Sequence, residues 1–175
     1  MANVAGIPEV IHDFNMYLSG SKLAGITGEV KLPDFDAITE EVSGAGILGS
    51  YEALVPGQYK SMEQEIPFRC LNTDYFRFID PTKPLALTLR GAIQVNVKST
   101  GATDYVGMRV VVRGRSKKLE IGTVKQAGKM DSKATLELTY ILVELDGKKK
   151  IELDKINSVF IVNGVDLLAK IRKLT

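Results

Sequence analysis

The chain has 175 residues, of which 45% are hydrophobic and 25% are charged, a composition typical of one soluble globular domain rather than of a disordered segment. Its 23 Lys and Arg residues against 21 Asp and Glu residues leave a formal net charge of +2, which is too small to indicate a nucleic-acid or anionic-membrane surface by itself. Cys70 is the single cysteine, which excludes an intrachain disulfide and a cysteine-based metal site.

We predict neither a secretion signal nor a membrane span from the sequence. Residues 1–14 lack the basic segment and apolar core of a secretion signal, and no apolar run approaches the ~20 residues of a transmembrane helix. We therefore expect a soluble protein without a membrane anchor. Two strands are predicted next, over residues 14–18 and 26–32, around a turn at residues 19–21.

A glycine-rich segment spans residues 44–57 and includes Gly44, Gly46, Gly49, Pro56 and Gly57. Its first part matches the G-x-G-x-x-G pattern, but that pattern binds dinucleotides only between a strand and a helix, whose N–H groups contact the pyrophosphate. The strand pattern before it is weak, and Pro56 follows too soon for a helix. We interpret the segment as a flexible loop rather than a nucleotide site.

One short helix is predicted over residues 74–79, capped by Asn72 or Thr73 and ended by Pro81. Its apolar side chains share one face, which indicates packing on a sheet. They are Tyr75, Phe78 and Ile79.

Two long strands follow, over residues 85–97 and 106–115, joined by a turn at residues 99–102. In the first strand the odd positions are apolar apart from Gly91, whereas the even positions Thr88, Arg90, Gln94 and Asn96 are polar. This alternation predicts a two-faced strand, about 43 Å long at ~3.3 Å per residue. Such a length is typical of a barrel wall or a long hairpin.

A hairpin is predicted around Asp146 and Gly147, a strong two-residue turn signal between residues 134–145 and 148–154. That turn would pair Glu144 with Lys149, Leu142 with Ile151, and Tyr140 with Leu153. Both faces of the ribbon are partly apolar, so we expect it to be covered on both sides. Asp166 is predicted to cap a final helix over residues 167–173.

Candidate chemical groups do not combine into a catalytic or metal site. His12 is the only histidine, in a segment without a nucleophile elbow, and we expect Cys70 to be a small buried residue. A basic cluster is formed by Arg113, Arg115, Lys117 and Lys118. Few aromatic residues interleave with it, so we interpret it as a solvated face or a salt-bridge partner of another subunit. We predict no cofactor, no metal and no catalysis.

Several segments carry a family resemblance in order along the chain. They are residues 15–20, 30–33, 44–46, 113–118, 125–128, 138–140, 151–157 and, most distinctively, 162–167. In this order the chain resembles the major tail tube protein of contractile-tailed bacteriophages and of the related R-type tail-like bacteriocins. Residues 51–83 match that family poorly.

The resemblance implies a mainly β fold, in which residues 1–175 form a single tail-tube domain. Its two antiparallel sheets would form a sandwich or partial barrel with one short flanking helix, closing with other subunits into a β-barrel tube. Hexameric rings of the chain would stack around a channel. The implied partners are the tail sheath, a tape-measure protein in the lumen, baseplate or tube-initiator and tail terminator proteins, and DNA in transit. The location would be a virion tail tube or tail-like particle, made in the bacterial cytoplasm.

Three surfaces are expected to serve this assembly. Thr88, Arg90, Gln94 and Asn96 would line the channel, residues 44–57 would reach the neighbouring ring, and residues 1–9 and 167–175 would seal contacts between subunits. Three alternatives stay open at the level of sequence. They are a type VI secretion tube that carries effectors, a nucleic-acid-binding β-barrel module that uses the basic cluster, and an enzyme that binds a nucleotide at residues 44–49.

Overall fold

A computed structural model describes residues 6–175, which form eleven β-strands and two one-turn helices. The strands are β1 (Gly6–Leu18), β2 (Ser21–Lys22), β3 (Ala37–Ser43), β4 (Ser50–Tyr59), β5 (Glu63–Phe68), β6 (Leu85–Val97), β7 (Thr103–Glu120), β8 (Ser132–Leu145), β9 (Lys148–Asp154), β10 (Val159–Val162) and β11 (Val165–Asp166). The helices are α1 (Thr73–Phe76) and α2 (Ala169–Arg172). The mainly β fold with two antiparallel sheets is confirmed.

The larger sheet has nine strands in the order β11-β10-β9-β8-β7-β6-β1-β2, with β5 paired to β8. Strand β6 has the predicted bounds, and β7 extends the predicted strand at both ends. These two strands pair without a register shift from Leu85 opposite Gly114 to Asn96 opposite Thr103. The alternation of the sequence therefore becomes two continuous faces of one sheet.

One face of this sheet carries the hydrophobic core. Leu85, Leu87 and Leu89 of β6 meet apolar side chains of β7 and β8 there, and β5 and α1 contribute to the same core. Phe68 lies edge-on to Tyr75 and Phe78, with ring centroids 5.6 and 5.9 Å away. Burying side chains of this size contributes roughly 1.5–3 kcal/mol each.

Helix α1 is capped as predicted but is shorter than predicted. The Asn72 side chain accepts a hydrogen bond of 2.9 Å from the N–H of Tyr75, and α1 ends at Phe76. Tyr75 and Phe78 are buried, whereas Ile79 is 60% exposed. The prediction that Ile79 belongs to the packed face of the helix was wrong, because α1 ends at Phe76 and no further helical turn positions Ile79.

The N-terminal region differs from the expectation of two strands. Strand β1 begins at Gly6, and residues 26–32 form no strand apart from a single bridge between Ile26 and Phe68. Val30 and Phe35 instead pack against the core. This segment covers the sheet, so its apolar residues pack against the core instead of forming a paired strand.

A bulge changes the register of the β8–β9 hairpin. Glu144 faces Lys149 as predicted, but Leu142 faces Glu152 and Tyr140 faces Asp154, so the two predicted apolar pairs are wrong. The extra residue is Lys150 of β9, because Val143 pairs with Ile151 and the next residue, Glu144, pairs with Lys149. A one-residue slip moves side chains to the other face, and here it places Ile141 opposite Leu153 in the core, where they are 2% and 1% exposed.

Two further expectations change in the structure. Cys70 is exposed, so its interpretation as a buried residue was wrong; it follows β5 in the connection to α1. Helix α2 covers only Ala169–Arg172, and Asp166 contacts it from outside instead of occupying the cap position. None of the described helices is long and apolar enough to cross a membrane.

Candidate assembly surfaces

The four polar residues of β6 lie on one face of the sheet, opposite the core. Thr88 faces Tyr17 and Val111, and Arg90 lies between Asn15 and Arg109 in the neighbouring strands. Gln94 and Asn96 continue the same row, since β6 and β7 pair without interruption. We call this surface the polar face; it includes the residues of β1, β7, β8 and β9 that lie in register with these four or with Ala86, which precedes them on the same side of β6.

Basic side chains on the polar face are engaged within the chain. Arg109 Nε donates to Glu144 Oε2 at 2.6 Å, and Lys149 Nζ donates to a Glu152 oxygen at 2.8 Å. The remaining contacts are cation–π contacts, with Arg113 4.1 Å from the Tyr140 ring centroid and Arg90 5.7 Å from that of Tyr17. The two ion pairs balance the charges of Arg109 and Lys149 locally, and the tyrosine rings cover Arg113 and Arg90.

Tyr140 is part of the same polar network. Its hydroxyl donates to Glu152 Oε1 at 2.9 Å. Burial, followed by this hydrogen bond to a carboxylate, raises the pKa of Tyr140 to about 12. The hydrogen bond from Lys149 is the main cause that lowers the pKa of Glu152. The network therefore holds Glu152 charged and Tyr140 neutral near pH 7.

The first long strand has an open edge. Strand β1 pairs with β6 along its length, but on its other side only Tyr17 and Leu18 pair with β2. Among the described residues, no second strand pairs with residues 6–15 of β1. Ile7, Val10 and Ile11 are exposed along this edge. Long edge strands with exposed apolar side chains are templates for pairing with another chain.

Strands β3 and β4 form an isolated hairpin, and its residues 39–54 are called the arm below. Within the described part of the chain neither strand pairs with the larger sheet, and none of residues 39–54 is buried. Leu48 at the tip is fully exposed, as are large parts of Tyr51 and Leu54. A two-stranded hairpin alone is at best marginally stable in water, so this arm is suited to contact another protein surface.

The backbone conformations at the tip of the arm require glycine. Gly44, Gly46 and Gly49 have φ values of 149°, 89° and 87°, which side chains rarely adopt. Only the first part of the loop predicted over residues 44–57 is a loop in the structure, because Pro56 and Gly57 lie in β4. Both are at the base of the arm, where the hairpin joins the body.

The base of the arm contains a large irregularity. Ala37 pairs with Tyr59 and Thr39 with Leu54, so that Ile38 alone lies opposite residues 55–58 of β4. Gly57 has a φ of 78°. A side-chain Cβ at Gly57 would lie 2.9 Å from Leu168 Cδ1, which places the C-terminal segment directly against this base.

The terminal segments behave differently from each other. Residues 1–5 of the predicted contact segment 1–9 lie outside the described residues, and residues 6–9 belong to β1. In the segment 167–175, Arg172 Nη1 donates to the Ser158 carbonyl at 2.7 Å, whereas Leu167, Ile171 and Leu174 are exposed. The C-terminal segment thus has both internal contacts and exposed apolar side chains.

The basic cluster of the β7 end is largely paired within the chain. Lys117 Nζ donates to Glu63 at 2.6 Å and to Glu137 at 2.8 Å, and these hydrogen bonds raise the pKa of Lys117. Lys118 Nζ lies 2.9 Å from Glu120 Oε1. Lys117 and Lys118 are thus salt-bridged within the subunit. His12 packs edge-on against Tyr105 at 5.5 Å.

These observations define a class of protein. A sheet with one long open edge, a polar face and an arm without a partner strand is a subunit whose surfaces are completed by other protein chains. Within residues 6–175 no group of three metal-binding side chains is found.

Comparison with known proteins identifies the family. The family model described as phage tail tube protein FII matches residues 8–174. The tail tube protein of Escherichia phage P2 is 30% identical over 168 residues, which cover 95% of this chain and 96% of that protein. The chain therefore belongs to the phage tail tube protein FII family. It is a structural subunit of a phage tail tube and not an enzyme, as expected from the resemblance.

Family membership also settles the broad questions of location and partner. The chain assembles with itself into a tube, and this tube is part of the virion tail. The type VI secretion tube, the nucleic-acid-binding module and the nucleotide-binding enzyme are not favoured by these findings.

Proposed function

We propose that the chain forms hexameric rings that share one continuous β-barrel, and that the rings stack into the inner tube of a contractile tail. The observation that carries this proposal is the open edge of β1, where residues 6–15 have no second strand partner among the described residues. Pairing of this edge with the next subunit extends the sheet, and closure of the ring removes the edge altogether.

In this arrangement the polar face lines the channel, with Thr88, Arg90, Gln94 and Asn96 in the wall. The core lies on the other face of the same strands, which supports this orientation because the core face is already covered within the subunit. Free Lys and Arg side chains bind phosphates strongly. The engagement of Arg109 with Glu144 and of Lys149 with Glu152 reduces that attraction. Such a wall suits non-specific passage of DNA.

The arm reaches the neighbouring ring. Its tip combines exposed Leu48 with Gly44, Gly46 and Gly49, so the backbone can follow another subunit closely. Residues 167–175 present Ile171 and Leu174 to neighbouring subunits. The N-terminal segment 1–9 adds contacts through its part of β1.

Further partners follow from a place inside a contractile tail. The outer surface of the tube contacts a tail sheath protein, and the lumen holds a tape-measure protein before DNA enters. Baseplate or tube-initiator and tail terminator proteins bind the two ends of the tube. The chain is made in the cytoplasm of the bacterial host and ends in the virion.

Ring formation is tested by placing a charge on the β1 edge. The purified chain is expected to form rings or tubes in negative-stain micrographs, and Ile11→Lys is expected to leave monomers in light scattering because a charged edge opposes strand pairing. Val124→Lys, at an exposed apolar position outside the strands, is the matched control. A wild-type chain that stays monomeric at every concentration, or normal rings from Ile11→Lys, would contradict the proposal.

Stacking is tested separately at the tip of the arm. Gly46→Val forces a β-branched residue into a φ of 89°, so we expect rings that no longer stack. Gly28→Ala is the control, because a Cβ there has open space and its φ is not positive. Long tubes from Gly46→Val would reject the assignment of the arm.

A further inference from the structure

The direction of the arm is not determined by its own ladder. Strands β3 and β4 pair regularly from Thr39–Leu54 to Ser43–Ser50, but the next pair is Ala37–Tyr59. Between these pairs, residues 55–58 oppose Ile38 alone. Bulges of this kind bend a strand and interrupt its hydrogen bonds. The arm is therefore joined to the body through an irregular segment outside the regular ladder, which we call the hinge (residues 55–58).

The C-terminal segment packs into this hinge. The side chain of Leu168 occupies the space beside Gly57, with Cδ1 2.9 Å and Cδ2 3.1 Å from the position of a Cβ on that glycine. Leu168 also packs against the hydrophobic core. A cleft of about 390 Å³ extends from this contact and is lined by both elements. Its lining includes Ile38 and Val55 from the arm base and Ile171 and Arg172 from α2.

Leu168 is itself held in place by polar contacts. Its N–H donates to Asp166 Oδ1 at 3.0 Å, and its carbonyl accepts from the Arg172 N–H at 3.0 Å. The Arg172 guanidinium pairs with Asp166 and also donates to the Ser158 carbonyl. Charge-assisted contacts of this kind are stronger and more directional than neutral ones. They tie α2 to the turn after β9.

We propose that Leu168, held by the Asp166–Arg172 pair, is a clamp that fixes the angle of the arm at the hinge. Asp166, Leu168 and Arg172 are thus positioning residues for ring stacking. This inference rests on the proposed function of the arm. A clamped arm is pre-oriented for the next ring, so less conformational freedom is lost when it binds. Glycine is favoured at position 57 because its φ is 78° and because a Cβ there would push against the end of the Leu168 side chain.

The clamp is tested first in the isolated chain, by hydrogen exchange at a concentration where it is monomeric. In Leu168→Ala and in Arg172→Gln we expect amides of residues 39–54 to exchange at least about tenfold faster. The reason is that the arm can then open locally without first breaking the contacts of the clamp. Amides of β6 and β7 should be unchanged. Lys170→Gln on the same helix and exposed Leu174→Ala are the matched controls and should match the wild type.

A distance measurement gives a second readout. In a Cys70→Ser background, spin labels at Glu52→Cys in the arm and Lys98→Cys in the β6–β7 turn should give one narrow distance distribution. Leu168→Ala or Arg172→Gln should broaden it. If Leu168→Ala does not fold, Arg172→Gln and Gly57→Ala decide the result. Unchanged exchange and unchanged distances in folded variants would reject the clamp.

Tube assembly then separates this inference from the proposed function. A freed arm together with fewer or shorter tubes supports both the clamp and the role of the arm in stacking. A freed arm with normal tubes keeps the clamp as a fact of the subunit but rejects the role of a fixed arm in stacking. Gly46→Val tubes of normal length would reject the role of the arm itself, while the exchange data on the clamp would stand.

Discussion

Two glycines of β7 provide a sharp test of how the sheet is packed. Gly114 lies beside the register shift between β7 and β8. A Cβ at this position would lie 2.1 Å from the carbonyl oxygen of Glu137 and 2.9 Å from its carbonyl carbon. Gly107 lies in the same strand, and a Cβ there has nothing within 4 Å. The same substitution to alanine therefore meets opposite surroundings in one strand.

The expected magnitude follows from these distances. Ordinary carbon contacts are about 3.5–4.0 Å, so Gly114→Ala requires β7 and β8 to separate by more than about 1 Å. The obstacle is backbone, which cannot rotate away as a side chain can. Overpacking of this kind costs roughly 1–3 kcal/mol, and we expect the upper end. Gly107→Ala should be neutral or stabilise by about 0.4–1 kcal/mol, because alanine restricts the unfolded chain more than glycine does.

The assay is thermal and urea unfolding of the monomeric chain. For a domain of this size 1 kcal/mol corresponds to about 2–4 °C in Tm, so Gly114→Ala should lower Tm by roughly 6–12 °C. Gly107→Ala should leave Tm unchanged or raise it slightly. Equal Tm values for the two variants would refute the close approach of β7 and β8 at Gly114.

Three other predictions concern the core, the polar face and the free cysteine. Phe78→Ala should cost about 3–5 kcal/mol in urea unfolding because the ring is fully buried, while Phe76→Ala, at 51% exposure, should cost under about 1 kcal/mol. The pKa of Tyr140 is raised to about 12 in the folded chain, against about 10 in the unfolded chain. The stability that this shift contributes is fully present below about pH 10 and is lost as the pH rises from about 10 to 12. Tyr140→Phe should flatten the loss of stability in that range. Cys70 is exposed, so a thiol reagent should label it in the native chain nearly as fast as in urea.

Each of these has a contradicting result. Equal costs for Phe78→Ala and Phe76→Ala would reject the packing of α1 on Phe68. The same alkaline loss of stability in the wild type and Tyr140→Phe would reject the network around Glu152. If the thiol reagent labels Cys70 only after the chain unfolds, the side chain is buried and the prediction is contradicted.

The elements that could be predicted are those whose pattern is local. Strand β6 has the predicted bounds because apolar and polar residues alternate along most of its length. Strand β9 begins after Asp146–Gly147 because that dipeptide favours a tight turn. Asn72 was identified as a cap because its side chain needs only the N–H three residues later. The four polar residues of β6 share a face for the same local reason.

The missed features depend on residues far away in the chain. The bulge that places Ile141 opposite Leu153 is selected by burial against the core, which no local pattern reports. Residues 26–32 look like a strand because Ile26, Val30 and Leu32 lie at alternate positions, but Ile26 and Val30 cover the core without a strand ladder. Gly57 was assigned to a loop because glycine is common in loops. Its place opposite Leu168, more than a hundred residues later, exists only in the folded chain.

The sequence alone determined that this is a two-faced β protein without catalytic groups, and the order of its segments indicated its family, because periodicity and turn residues act over a few positions. Only the tertiary structure decided which edge is open, where the arm begins and what holds its base. Those properties arise from pairing and packing between distant strands, where burial of apolar side chains selects one register among several that the local sequence allows.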